Sequence, residues 1–262
     1  MSMKTIAICT LLCVFVIMLC VMIPKLDTKK LKKWFYNEYI KDWKPFDYVF
    51  LFGLLAVQLI MTPFMIDSGL SVGWNIFTLV ASFIGTLATI ICAKGKMSYY
   101  VWGFIQTIMF LIFNLKLKLW VESAEQVYYL ITMVIGVFIW KKNINKDTEA
   151  IKAKKFDLPK FILTLVSLLA LSVIIYFVDV QIGGTAPLLD TLSLSIAIVA
   201  NILCSFCYKE QWLLWFVLDV VQTILYFVIG QPMMAVMYIA WTINTIYGWV
   251  TWNKSEGRVN AE

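Results

Sequence analysis

Long apolar runs alternate with short polar segments along almost the whole chain. Most of the runs approach about 20 residues, the length that a helix needs to cross a hydrocarbon layer of about 30 Å. A backbone in lipid must satisfy its own hydrogen bonds, which favours helices for these runs. Hydrophobic residues make up 61% of the chain and charged residues 15%, whereas soluble domains carry about 25% charged residues. We therefore predict an all-α integral membrane protein, which excludes a water-soluble enzyme, a DNA-binding module and a disulfide scaffold.

The apolar runs define the predicted spans. They cover residues 5–23, 46–66, 70–92, 99–117, 123–140, 160–179, 187–207, 211–229 and 233–252. The last eight runs are predicted to be core transmembrane helices. The first is predicted to be an additional N-terminal ninth helix; the alternative is a signal peptide, but no small-x-small cleavage site follows Pro24. Residues 28–44 mix lysines with aromatic residues, which is typical of an interfacial helix or of a plain basic connector.

Lysines predict the orientation and the domain organisation. The segments 24–45 and 141–160 are the richest in lysine, and four predicted crossings between them place both on one side. Positive loops face the cytoplasm, so we assign both segments to that side, together with the short loop Lys94-Gly95-Lys96 and the turn Tyr208-Lys209-Glu210. The predicted organisation is an N-terminal hydrophobic segment and basic interfacial connector (1–45), an additional transmembrane helix (46–69), a first three-helix repeat (70–140), a basic cytoplasmic linker with a linking helix (141–179), a second three-helix repeat (187–252) and a cytoplasmic tail (253–262).

Two stretches of three runs resemble each other. Each closes with Gly-x-x-x-Trp, once at Gly136–Trp140 and once at Gly248–Trp252. The middle runs are aligned by placing Trp102 on Trp215. Because the repeats start four spans apart, both cross in the same sense, which predicts parallel repeats related by an axis along the membrane normal. Trp252 itself is expected in the aromatic belt at the membrane surface.

Asp219 lies at the centre of the 211–229 run, and in the repeat register Gln106 falls on it. A carboxylate at that depth costs about 2.5–3.5 kcal/mol on insertion scales, so such acids usually face a bundle interior or a water-filled cavity. The functional interpretation is a substrate site. The structural alternative is a protonated acid that joins two helices by a hydrogen bond. Proton coupling through this carboxyl stays open.

Other polar and aromatic residues share the face of Asp219, because they recur at steps of three and four. The predicted substrate-binding residues are Trp212, Trp215, Asp219, Gln222 and Tyr226 on one run, Tyr238, Trp241 and Asn244 on the next, and Gln106 facing them. Trp212, close to the helix start, has the alternative role of a belt residue. Indole and phenol rings with one acid suit a flat neutral or cationic solute. Mid-span Lys and Arg are absent from the sequence, so no side chain there can clamp a phosphate.

Sequence motifs for catalysis or metal binding are weak or absent in this chain. The chain has no His, the commonest metal ligand and general base. Cys204-x-x-Cys207 is a single pair without a second one, a weak metal signal. We therefore predict no catalytic residues, no metal, no cofactor and no nucleic-acid partner.

The residues Glu210-Gln211-Trp212-Leu213-Leu214-Trp215, followed by Asp219, Tyr226 and the run from Tyr238 to Tyr247, resemble the Pnu vitamin transporters. The likeness is greatest to the PnuC family of bacterial nicotinamide riboside transporters, and covers about residues 70–252. It implies a three-plus-one-plus-three fold like that of the SWEET sugar transporters, with the substrate between the repeats. The predicted site residues are those this resemblance implies.

The resemblance also implies a function: uptake of nicotinamide riboside, a vitamin B3 form and NAD precursor, across the bacterial cytoplasmic membrane. Transport is expected by facilitated diffusion with alternating access, and a cytosolic riboside kinase traps the product. The partners are thus the vitamin and the lipid bilayer, and a homo-oligomer is compatible with the sequence. The alternative is a thiamine transporter of the same fold, because thiamine is also a flat cation.

Overall fold

The computed structural model describes residues 16–17, 20, 28–65, 71–117, 120–144, 150–182, 187–228 and 232–259. Its helices are α1 (Thr28–Tyr39), α2 (Pro45–Met65), α3 (Val72–Ala93), α4 (Tyr99–Leu117), α5 (Trp120–Lys142), α6 (Leu158–Ile182), α7 (Pro187–Ser205), α8 (Gln211–Val228) and α9 (Pro232–Val259). The all-α prediction is confirmed for this described part of the chain. Most of the 5–23 run, predicted as a ninth span, lies outside it.

Several helices meet the requirements of a membrane span by length and composition. The stretches Val72–Ala93, Ser123–Lys142 and Leu158–Val178 are long and apolar enough, among the residues described. The shorter apolar stretches are Pro45–Met61, Thr191–Ser205 and Gln211–Leu225. The count of eight core spans therefore stays a prediction. The described bounds lie within a few residues of the predicted runs, except that α9 continues to Val259.

The helices pack as two sequential triplets. In the first, α4 packs against both α3 and α5; in the second, α8 packs against both α7 and α9. Between the triplets, α5 contacts α7 and α9 contacts α3. The linking helix α6 packs against α7, and α2 packs against α3 and α9. Thus α2, which precedes both triplets, touches one helix from each.

Two tryptophans join the triplets in the buried core. The Trp140 indole N–H donates to the Cys204 carbonyl at 2.8 Å, and the Trp252 indole N–H donates to the Cys92 carbonyl at 3.1 Å. The thiols of these two cysteines, Cys92 and Cys204, lie 3.9 Å apart. Trp252 is only 1% exposed, so its predicted place in the aromatic belt is wrong. Its N–H has a buried acceptor, which lets the ring leave the interfacial layer.

Two glycines allow close approach in this core. A Cβ on Gly248 would lie 2.6 Å from the Trp212 ring, and one on Gly136 would overlap the Tyr100 hydroxyl. Both glycines lie on the third helix of a triplet, and both aromatic residues lie on the second. The repeated Gly-x-x-x-Trp sequence therefore has a packing role: the glycine admits a ring and the tryptophan reaches the other triplet.

The loops that the lysine pattern placed on one side lie together at one end of the bundle. Gly95 and Cys207, with φ of 67° and 65°, follow α3 and α7 in the left-handed conformation typical of helix C-termini. The linker hydrogen-bonds to both: Ile151 N–H donates to the Gly95 carbonyl at 3.0 Å, and Lys154 N–H donates to the Cys207 carbonyl at 2.8 Å. We call residues 150–156 the strap. Its Ile151 side chain is buried in the core that contains both tryptophans.

Candidate functional site

The α8 helix presents one buried and one exposed face. Asp219 and Trp212 are each 4% exposed, whereas Leu213, Phe216 and Val220 are 38–49% exposed. The helix starts at Gln211, whose N–H donates to the Tyr208 carbonyl just after the turn at Cys207. This start places the polar and aromatic stripe against α7 and α9, which flank α8. The carboxyl of Asp219 therefore faces protein, as an acid in a membrane segment requires.

Among the described side chains of α8 and α9, six polar atoms are buried without a hydrogen-bond partner. They are Gln211 Nε2, Trp212 Nε1, Asp219 Oδ2, Gln222 Oε1, Trp241 Nε1 and Asn244 Oδ1. Each such atom costs about 1–3 kcal/mol, and lipid offers no alternative partner. The set contains three acceptors and three donors, so a solute that carries hydroxyl and amide groups could satisfy several of them at once. This is the strongest structural sign of a ligand site.

Trp215 connects two apolar clusters. Its ring packs against the large core that contains Trp140 and Trp252, and also against a smaller cluster with Ala197 and Leu218. Its indole N–H donates to Gln211 Oε1 at 3.4 Å. The ring is half-buried, so one part of it stays available for stacking.

Trp212 occupies the core more deeply than Trp215 does. It lies against Gly248 and meets Trp252 edge to face, with ring centroids 5.8 Å apart. Its buried indole N–H has no acceptor. On α9, Tyr238 and Trp241 form a second edge-to-face pair at 5.1 Å. The side chain of Tyr226, another predicted site residue, lies outside the described part of the chain.

Gln106 lies apart from the α8 stripe. Its amide is packed against Gly85 of α3, where a Cβ would lie 2.6 Å from Gln106 Nε2. Its helix, α4, packs against α3 and α5. The neighbouring Trp102 turns outward and donates its indole N–H to the Tyr39 hydroxyl at 2.9 Å. Among the described contacts, none joins Gln106 to the stripe residues.

Sequence reasoning missed two parts of this region. Gln211 is fully buried and holds the Trp215 indole; its position one turn before Trp215 on the same face was the available signal. On α5, Tyr129 packs against the same small cluster as Trp215, and its hydroxyl donates to Glu125 Oε1 at 2.6 Å. No motif marked Tyr129, because its contact with α7 and α8 joins distant parts of the chain.

An apolar groove runs along another flank of α8. It has a volume of about 350 Å³ and is lined by Val220, Thr223, Ile224, Ile239, Thr242 and Ile243. Its isoleucines are about half exposed, and its threonine hydroxyls donate to backbone carbonyls of their own helices. The groove therefore belongs to the outer apolar surface and is distinct from the Asp219 stripe. Within the described residues, no group of three or more His, Cys, Asp or Glu side chains is placed to hold a metal ion.

Comparisons with known proteins identify relatives over most of the chain. A family model described as nicotinamide mononucleotide transporter matches residues 75–254. A nicotinamide riboside transporter PnuC from Haemophilus influenzae is 30% identical over 231 residues, which is 86% of this chain and 96% of the relative. The protein of that name from Neisseria mucosa is 28% identical over 233 residues, 84% of this chain and 86% of the relative.

A solved structure has the same fold. The crystal structure of the vitamin B3 transporter PnuC superposes with a TM-score of 0.72 at 25% identity, and covers 86% of this chain and 98% of that one. The resemblance to the PnuC family seen in the sequence is thereby confirmed, and the family consists of transporters, not enzymes. Since the family model spans more than half of the chain and the relatives match nearly end to end, this multi-pass membrane protein belongs to the nicotinamide mononucleotide transporter family, to which its PnuC relatives point.

Proposed function

We propose that this chain takes up nicotinamide riboside across the bacterial cytoplasmic membrane by facilitated diffusion. The observation that carries the proposal is the near end-to-end match to relatives named nicotinamide riboside transporter PnuC. The buried polar atoms of α8 and α9 without partners support it independently. A cytosolic kinase would then phosphorylate the riboside and keep it inside the cell.

The chemistry of the α8–α9 stripe suits this solute. The pyridinium ring of nicotinamide riboside is flat and cationic, so it is attracted by indole faces and by the carboxyl of Asp219. Its ribose hydroxyls can donate to Asn244 Oδ1 and Gln222 Oε1, and its carboxamide oxygen can accept from the Trp241 indole N–H. In this proposal Trp215 supplies the stacking surface, and Trp212, Tyr226 and Tyr238 stay predicted members of the site. Gln106 would join the site only after α4 moves toward α8.

The riboside fits better than the phosphorylated mononucleotide in the family model's description. A phosphate in a low-dielectric site needs Arg or Lys to hold it. Residues 211–252, which contain α8 and most of α9, include neither. Among the described residues, Lys96 and Lys209 are buried and Lys94 is partly buried, and all three lie in the loops at one end of the bundle. The dianionic phosphate would therefore have no counter-charge beside Asp219.

We further propose that α3–α5 and α7–α9 are parallel repeats in a SWEET-like arrangement. Equivalent contacts recur at a constant shift of 112 residues, the separation of Cys92 and Cys204. At that shift Trp140 corresponds to Trp252 and Gly95 to Cys207, and each pair makes matching hydrogen bonds or turns. The contacts of α5 with α7 and of α9 with α3 are exchanged by the same relation. The shift differs by one residue from the register that aligns Trp102 with Trp215.

Uptake into proteoliposomes tests the proposed function. Purified protein should equilibrate labelled nicotinamide riboside across the bilayer without an ion gradient, and excess unlabelled riboside should compete far better than the mononucleotide or thiamine. Dependence on a pH gradient would replace facilitated diffusion by proton coupling. Uptake of thiamine with none of the riboside would overturn the substrate assignment.

A further inference from the structure

The carboxylate of Asp47, at the start of α2, contacts both triplets at once. One oxygen, Oδ2, accepts from Lys94 Nζ at 2.5 Å, and Lys94 follows the end of α3. The other oxygen, Oδ1, accepts from the Tyr247 hydroxyl at 2.5 Å, and Tyr247 belongs to α9. Asp47 is 3% exposed, so this carboxylate is a buried bridge between the first helix of one triplet and the third helix of the other.

The surroundings of Asp47 hold it in this position. The Lys44 backbone N–H donates to Asp47 Oδ2 at 2.7 Å, which fixes the carboxylate at the first turn of α2. The Lys94 ammonium also donates to the Asp42 carbonyl at 2.7 Å and lies 5.6 Å from the centre of the Trp43 ring. On the other side, Phe50 packs against the Tyr247 ring at 5.2 Å. Charge-assisted hydrogen bonds of this kind are about twice as strong as neutral ones.

The strap closes the same end of the bundle. It hydrogen-bonds to Gly95, after α3, and to Cys207, after α7, and the side chains of Ile151 and Ala153 fill the core beneath it. Cys207 is fully buried there, and burial raises the pKa of its thiol to about 12. An opening of this end that moves α3 away from α9 must break at least one of the two bonds to Asp47.

We propose that Asp47 is the latch of the cytoplasmic gate, a positioning residue that stabilises the inward-closed state by joining Lys94 to Tyr247. The inference rests on the proposed facilitated diffusion, carried out by the alternating access that the family resemblance implies, but it does not depend on which vitamin is carried. Removing the negative charge or the Tyr247 hydroxyl should raise the population of states that are open at this end. Substrate contacts of Asp219 are left intact by either change.

The test is the reactivity of native Cys207 toward a polar maleimide in purified, vitamin-free protein, quantified on its own peptide by mass spectrometry. Only the thiolate reacts, and a buried thiol reacts slowly. Asp47→Asn should accelerate labelling by about tenfold, the effect expected from the loss of one charge-assisted hydrogen bond, and Tyr247→Phe should accelerate it by less. Tyr176→Phe is the matched control for Tyr247→Phe, because Tyr176 is 41% exposed on α6, about five turns beyond the start of that helix.

Wild-type labelling rates in both Asp47→Asn and Tyr247→Phe, with unchanged thermal unfolding temperature, would overturn the latch. Equal acceleration by Tyr176→Phe and Tyr247→Phe would also contradict it, since the loss of any phenol hydroxyl would then suffice. If Asp47→Asn does not fold, Tyr247→Phe decides alone, because it removes a single hydroxyl. A negative labelling result would not bear on the proposed uptake of the riboside. A negative uptake result would not change the interpretation of the Cys207 labelling rates.

Discussion

Trp140 and Trp252 meet in the core with their ring centroids 5.8 Å apart and their planes at 62°. Each indole N–H donates to the carbonyl of a cysteine in the opposite triplet. One pair of side chains therefore supplies both apolar contact and hydrogen bonds across the interface. Ile151 and Ala153 of the strap pack into the same core.

Trp252 should accordingly matter for stability. Trp252→Ala removes a buried ring and is expected to lower the free energy of unfolding by about 3–5 kcal/mol. Trp252→Phe keeps most of the packing and removes only the indole donor to the Cys92 carbonyl, which still accepts from the Gly95 N–H, so the expected loss is about 0.5–1.5 kcal/mol. Thermal unfolding in detergent measures both. An unfolding temperature unchanged by Trp252→Ala would contradict the core position.

Gly248 and Gly53 form a matched pair of helical glycines. Gly248→Ala places a Cβ 2.6 Å from the Trp212 ring, whereas a Cβ on Gly53 meets nothing within 4 Å. The first change should destabilise the protein by about 1–3 kcal/mol, as overpacking does. The second should be neutral or slightly stabilising, because alanine is the better helix former. Comparable unfolding temperatures for the two variants would show that Trp212 does not rest on Gly248.

Trp215 should affect binding more than folding. Trp215→Ala removes the proposed stacking surface and is expected to weaken riboside binding by about tenfold or more, the loss of one desolvated cation–π contact. Phe216→Ala on the same helix is the control, since Phe216 is 38% exposed on the outer face. Isothermal titration of both variants gives the comparison. Equal losses of affinity would mean that the stripe is ordinary packing.

The helices and the buried stripe were predictable, because apolar runs and steps of three and four depend only on local sequence. Asp219 was predictable for the same reason. The ion pair between Lys94 and Asp47 could not be predicted in this way. Charge alone assigned Lys94 to a cytoplasmic loop, but its partner Asp47 lies 47 residues earlier in the sequence. Trp252 was misplaced because tryptophans near a span end look alike in sequence, whether the indole N–H meets headgroups or a buried carbonyl.

The position of Gln106 shows the same limit. The repeat register aligned it with Asp219 and the family resemblance placed it facing the stripe, whereas equivalent contacts recur at a shift of 112 residues, one less than that register. A one-residue change rotates a helical position by about 100°, enough to change the face that a side chain presents. Packing between segments that are distant in sequence determines which of the two registers, and therefore which helix face, is adopted.

The most direct test of the central claim is a titration of purified protein with nicotinamide riboside, nicotinamide mononucleotide and thiamine, repeated with Asp219→Asn. We predict saturable binding of the riboside alone. Asp219→Asn, which removes the charge but keeps the shape, should weaken it by about tenfold or more, as expected for the loss of the attraction between a carboxylate and the pyridinium cation in a site of low dielectric constant. Riboside binding unchanged by Asp219→Asn, or binding of the mononucleotide in preference to the riboside, would contradict the account.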